Sequence, residues 1–200
     1  MKYQMNSIYS LVTSNSYPEE FNVPVPEYPF GFDGLSKFFS GKRVELDYGQ
    51  RIRISWISEN LRFPDFVLGL PMGWILVSKP VKEALEQAIG GDGFYQFVKP
   101  SFTSESQSCS QMGYMCLNVL TQLECIPTDQ RSVLLEDDGS VRSVLMGANF
   151  KLRNLNRLHF LFRPKEFCFL VMVPPVLRKV LLNKNFGGYE LDQYDCADEA

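Results

Sequence analysis

Leu76-Val77-Ser78-Lys79-Pro80-Val81, running on to Gly93-Phe94, returns about ninety-five residues later as Val171-Met172-Val173-Pro174-Pro175-Val176, running on to Gly188-Tyr189. Both stretches read apolar strand, proline-started helix, glycine stop and aromatic strand. Proline is tolerated in a first helical turn, where its missing N–H has no partner, and glycine ends a helix because it accepts positive φ. The pair predicts an α+β fold of two related halves, mainly antiparallel sheet with one principal helix per half.

Working outward, Trp74 to Val77 reads as a short strand and Ser78 as the cap of a helix from Lys79 to about Ile89, stopped by Gly90-Gly91. Val81, Ala84, Leu85 and Ala88 share one face of it, and Lys82, Glu83 and Glu86 occupy much of the rest. Phe94 to Lys99 returns as a strand. The second helix is expected over Pro175 to about Lys184, with Val176, Leu177, Val180 and Leu181 apolar and Gly187-Gly188 as its stop.

Elsewhere, Arg51 to Ile57 alternates, with Ile52, Ile54 and Trp56 on one side and Arg51, Arg53 and Ser55 on the other. Gly113 to Leu123, Arg131 to Glu136, Val141 to Met146, Arg157 to Arg163 and Phe167 to Val173 also read as strands, with Asp138-Gly139 as a hairpin turn. Ser101 to Gln111 is rich in serine and glutamine and reads as a mobile surface loop dividing the halves. The expected organisation is a Pro/Gly-rich N-terminal arm over 1–42, an α+β domain over 43–191 whose pseudo-repeat spans about 74–97 and 169–191, and an acidic tail over 192–200. Within the arm, residues 14–34 carry Pro18, Pro24, Pro26 and Pro29 with Gly31 and Gly34 and are expected to lack long elements.

With 200 residues, 45% hydrophobic and 22% charged, the chain can bury a sizeable core. Sixteen Phe, nine Tyr and two Trp supply large contact areas in a core or at a partner surface. A net charge of −3 disfavours general nucleic-acid binding. No run approaches the apolar length of a membrane helix, and the start lacks a secretory pattern, so a soluble cytoplasmic protein is expected. Cys109, Cys116, Cys125, Cys168 and Cys196 are odd in number and irregularly spaced, unlike a disulfide framework, and His159 has no paired ligand at zinc spacing.

Nucleophile-elbow and phosphate-loop motifs do not occur, and Gly90-Gly91-Asp92-Gly93 follows a helix instead of opening one. No metal or cofactor is expected. A cysteine-dependent hydrolase using His159 with Cys109 or Cys116 is the enzymatic alternative. Two acidic groups remain as partner-binding candidates: Glu136, Asp137 and Asp138 at the hairpin tip, and Asp192, Tyr194 and Asp195 near the C-terminus. Aromatics interleaved with acids suit a basic, partly apolar partner.

Pro64-Asp65-Phe66, then Trp74-Ile75-Leu76-Val77-Ser78 with Lys82-Glu83-Ala84-Leu85-Glu86, resemble immunity protein family eleven of bacteria. Gly113 to Val119 ahead of Cys125-Ile126, then Leu161-Phe162-Arg163, the Pro175 helix and Gly187-Gly188 continue that resemblance in order, over roughly Arg62 to Leu191. Val173-Pro174-Pro175 departs from the expected serine-type cap, and Cys125 to Asp129 is a looser match. The resemblance implies a small cytoplasmic protein that neutralises a cognate polymorphic toxin, nucleases being frequent among such toxins, and it carries over no catalytic residues. An adaptor that binds a resident protein is the other non-enzymatic alternative.

Overall fold

A computed structural model of the chain describes residues 7–13, 25–27, 38, 40–46, 52–55, 64–69, 74–90, 93–102, 113–125, 160–168 and 170–195. The fold is α+β, and among the described residues short, mainly antiparallel sheets surround two long helices. Strands β4 (Phe66–Gly69), β5 (Trp74–Val77), β6 (Tyr95–Val98) and β8 (Met115–Val119) form a four-stranded sheet in the order β4-β5-β8-β6. Strands β1 (Ser7–Thr13), β11 (Met172–Val173) and β12 (Tyr189–Asp195) form a second, ordered β11-β1-β12. Two smaller sheets join β2 (Val25–Glu27), β3 (Arg53–Ser55) and β7 (Ser101–Phe102), and β9 (Gln122–Leu123) with β10 (Arg163–Pro164).

The sequence echo is a structural one. Helix α1 (Lys79–Ile89) links β5 to β6, and helix α2 (Pro175–Lys184) links β11 to β12. In each unit the two linked strands run parallel but do not touch, because an antiparallel third strand lies between them: β8 in the first unit, β1 in the second. The intervening strand belongs to neither repeated stretch. In the second unit it comes from residues 7–13, inside the stretch 1–42 read as an N-terminal arm.

Apolar spacing dictates how the layers stack. In α1, Val81, Ala84, Leu85 and Ile89 are buried, each large side chain contributing about 2 kcal/mol of burial. Val81, Leu85 and Ile89 meet Leu177 and Leu181 of α2 with Ile75, Val77, Leu117, Val119, Leu11 and Val173, so the two units share one core. Alternation along β8 sends Leu117 and Val119 into that core and Cys116 into another on the reverse face, with Leu76, Phe38, Val44, Ile52 and Ile54. The reverse face is latched by polar groups. The Gln96 amide pairs with Val44 like a neighbouring strand, accepting its N–H at 2.8 Å and donating to its carbonyl at 2.9 Å. Buried Asn118 donates to the Lys42 carbonyl at 2.9 Å.

Both helices span the expected residues, but their ends differ from the expectation. Ser78 occupies the cap position of α1 without capping it through its side chain. Pro80 offers no N–H in the first turn, and the hydroxyl donates instead to the Asp65 carboxylate at 2.7 Å, a stronger charge-assisted bond. Gly90 stops α1 at φ 66°, as expected, whereas α2 is stopped by Asn185 at φ 52°, ahead of Gly187-Gly188. Asn tolerates this left-handed conformation, which leaves the glycine pair for another task.

Several strands are shorter than expected. Ile52 and Ile54 are buried and Arg53 is exposed, as the alternation predicts; β3 begins at Arg53, one residue after Ile52, and residues 51 and 56–57 lie outside the described residues. Gly113 to Leu123 splits into β8 and β9, because Leu120 leaves the sheet to bond Phe94 and Thr121 accepts from Arg163. Phe167 to Val173 reduces to β11, with turn bonds from Phe167 to Pro164 and from Leu170 to Phe167 ahead of it. Ser101 and Phe102, assigned to the serine-rich loop, pair with β3 because Ser101 donates its N–H to the Ile52 carbonyl at 2.8 Å. The strands expected over Arg131 to Glu136 and Val141 to Met146 lie outside the described residues.

Candidate functional site

The C-terminal acidic segment is ordered as strand through Asp195. Residues 189–195 pair with the whole of β1 in a seven-residue antiparallel ladder, so Asp192, Tyr194 and Asp195 belong to β12 instead of a tail. The cause is the alternation of Tyr189, Leu191 and Gln193 with Glu190, Asp192 and Tyr194, which lets one face pack against the shared core. That face carries Tyr189, Leu191, Leu11 and Tyr9.

On the opposite face, register places Glu190 across from Val12, Asp192 across from Ser10 and Tyr194 across from Ile8. Asp192 is exposed, and Glu190 and Tyr194 are half-buried. Tyr194 lies against the small cluster of Ile8, Cys125, Phe162, Phe167 and Met172, with the hydroxyl of fully buried Ser10 in long contact with its own at 3.5 Å. Two carboxylates and a phenol thus line one rigid strand face. Asp195 pairs with Ser7 at the end of the ladder. Glu136, Asp137 and Asp138 lie outside the described residues, as do His159, Cys109 and Cys196.

Buried thiols offer little nucleophilic chemistry. Burial pushes the Cys116 thiol from 9.0 up to about 12, which leaves it protonated at neutral pH. Cys125 is also buried, and its Sγ contacts the Leu123 carbonyl at 3.2 Å. Among the described residues no group of three or more His, Cys, Asp or Glu side chains is arranged to hold a metal, and no helix is long and apolar enough to cross a membrane.

Sequence reasoning missed two polar centres. One is Asp65, whose carboxylate takes the Ser78 hydroxyl on Oδ1 and the Gly187 N–H on Oδ2 at 3.0 Å, while Phe66 donates its N–H to the Gly187 carbonyl at 2.9 Å. Tyr189, packed on Phe66, has its phenol pKa raised first by burial and then by the Asp65 charge. Pro64-Asp65-Phe66, Ser78 and Gly187 each stand out in the sequence, but nothing there shows that they meet. The other is Arg178, whose guanidinium stacks over the Tyr9 ring at 4.6 Å; nothing local in the sequence joins residues so distant. Arg163 is a fully buried cation, donating from Nη1 to the Cys168 carbonyl at 2.8 Å, and burial lowers its pKa to about 10.

No protein-family model matches the chain, and no curated protein matches it either.

Proposed function

We propose that this chain is a stoichiometric inhibitor that binds a cognate bacterial polymorphic toxin in the cytoplasm of the producing cell. A basic nuclease is the toxin class its chemistry fits best. The observation that carries the reading is the face of β12 on which Glu190, Asp192 and Tyr194 stand in alternate positions of a seven-residue ladder. A rigid strand presents carboxylates without the ordering cost a disordered tail would incur on binding. Such carboxylates can occupy an electropositive cleft in place of phosphate, speeding association and excluding nucleic acid.

The resemblance to immunity protein family eleven supplies the toxin as partner. Its motif residues are spread along the chain, yet Ser78 and Gly187 bond to the Asp65 carboxylate, while Phe66 bonds to Gly187 and Tyr114 to the Pro64 carbonyl beside it. They act as framework, which leaves function to the surfaces the framework displays.

The test is co-expression of the tagged chain with the product of the adjacent upstream gene, followed by affinity capture and a viability assay. Rescue of growth with a one-to-one complex is the expected result. Toxicity unrelieved by the chain, without a complex, would overturn the proposal and favour an adaptor.

A further inference from the structure

The two helices solve the same electrostatic problem in opposite ways. Lys82 and Arg178 are equivalent: each donates its backbone N–H at 3.0 Å to the carbonyl at its helix cap, Ser78 in α1 and Pro174 in α2. Each cation also sits over an aromatic ring of the sheet below, Lys82 over Phe97 at 5.4 Å and Arg178 over Tyr9 at 4.6 Å. In α1 the cation is completed by a carboxylate one turn on, Glu86, at 2.7 Å, and Lys79 is matched in the same way by Glu83 at 3.7 Å.

In α2 the places of Glu83 and Glu86 are taken by Lys179 and Leu182. The second helix therefore carries Arg178, Lys179 and Lys184 and no acid. Among the described residues no carboxylate pairs with any of these three cations. Arg178 Nε is buried without a hydrogen-bond partner. Leu182, on the same face one turn along, is 50% exposed, which makes it one of the two large apolar side chains most open to solvent among the described residues.

We propose that Arg178, stacked on Tyr9 and flanked by Leu182, is a docking site for a carboxylate presented beside an apolar side chain on a protein partner. The first helix shows what completes this arrangement, since Glu86 does so within the chain. A guanidinium held over an aromatic ring is already restricted in its rotamer, and the fork of guanidinium donors matches a carboxylate. Arg and Tyr are also enriched among interface hot spots. This site is separate from the acidic face of β12 and does not depend on the toxin reading.

The test is an NMR titration of the isotope-labelled full chain with N-acetyl-Leu-Glu-Leu-amide, using the Gln peptide as control. The expected result is a saturable shift of the Arg178 Nε–Hε and Leu182 methyl signals, with the Gln peptide about tenfold weaker, as loss of one charge-assisted bond implies. Arg178→Gln is expected to abolish the response. Leu182→Glu rebuilds the pair of the first helix and is expected to block the peptide while raising Tm, so a folded variant tests the site if Arg178→Gln misfolds. Equal shifts with both peptides, shifts that bypass Arg178, a response to an oligonucleotide but not the peptide, or no response at all would overturn the proposal.

Discussion

Asp65 and Gly187 are 122 residues apart in sequence and joined by a 3.0 Å hydrogen bond from the Gly187 amide to the Asp65 carboxylate. The other carboxylate oxygen holds Ser78, at the head of α1, while Gly187 follows the end of α2. One side chain thus ties the start of the first helix to the exit of the second. Asp65→Ala leaves both donors without their acceptor and is expected to cost roughly 3 kcal/mol, on the order of 10 °C in Tm, measurable by thermal and urea unfolding. Asp65→Asn retains an acceptor and is expected to cost less. Unchanged Tm in the alanine variant would show that the link is dispensable.

Gly188 closes the same junction from the other side. Its φ is 98°, and a Cβ there would stand 2.0 Å from the Phe66 carbonyl oxygen. Gly188→Ala must move backbone at the start of β4, so a loss of about 3 kcal/mol or more is expected, larger than for Gly90→Ala, where a Cβ meets open space. Comparing the two variants by chemical denaturation separates the steric cost from the cost of positive φ shared by both.

The Cys116 thiol, with its pKa pushed up to about 12, is protonated in the folded chain at pH values where an unfolded cysteine ionises. A raised folded pKa stabilises the fold fully below the unfolded value of 9.0, and that contribution is lost as pH rises toward about 12. Unfolding free energy is therefore expected to fall by up to about 1.4 kcal/mol per pH unit across this window, with the slope reduced in Cys116→Ala. At pH 8, Cys116 is expected to resist a thiol reagent until denaturant is added, as peptide mapping would reveal.

Asp192 is exposed at the middle of the β1–β12 ladder, so its charge can change without disturbing a core. Asp192→Lys is expected to leave the unfolding free energy within about 0.5 kcal/mol of the parent. It is expected to slow association with a basic partner about tenfold at low salt, the difference shrinking as salt screens it. Stopped-flow association at two ionic strengths checks this; identical rates would remove the β12 face from the interface.

Local chemistry made much of the fold legible in the sequence. Apolar spacing and prolines placed α1 and α2, Gly90 ended the first, and the alternation around Ile52 and Ile54 identified a half-buried strand. Such signals act over a few residues, through steric limits on φ and the period of side-chain direction.

Only the tertiary structure decided which strand fills each gap and which side chains meet across it. β1 reaches its place between β11 and β12 through contacts more than 150 residues away in sequence, such as the 2.9 Å bond from Leu11 N–H to the Val171 carbonyl. The same distance hid the stacking of Arg178 on Tyr9 and turned an expected acidic tail into the outer strand of a ladder. Backbone pairing rewards any strand of suitable alternation, so local pattern names the strands, while the shared core of Leu11, Leu177 and Leu181 selects their partners.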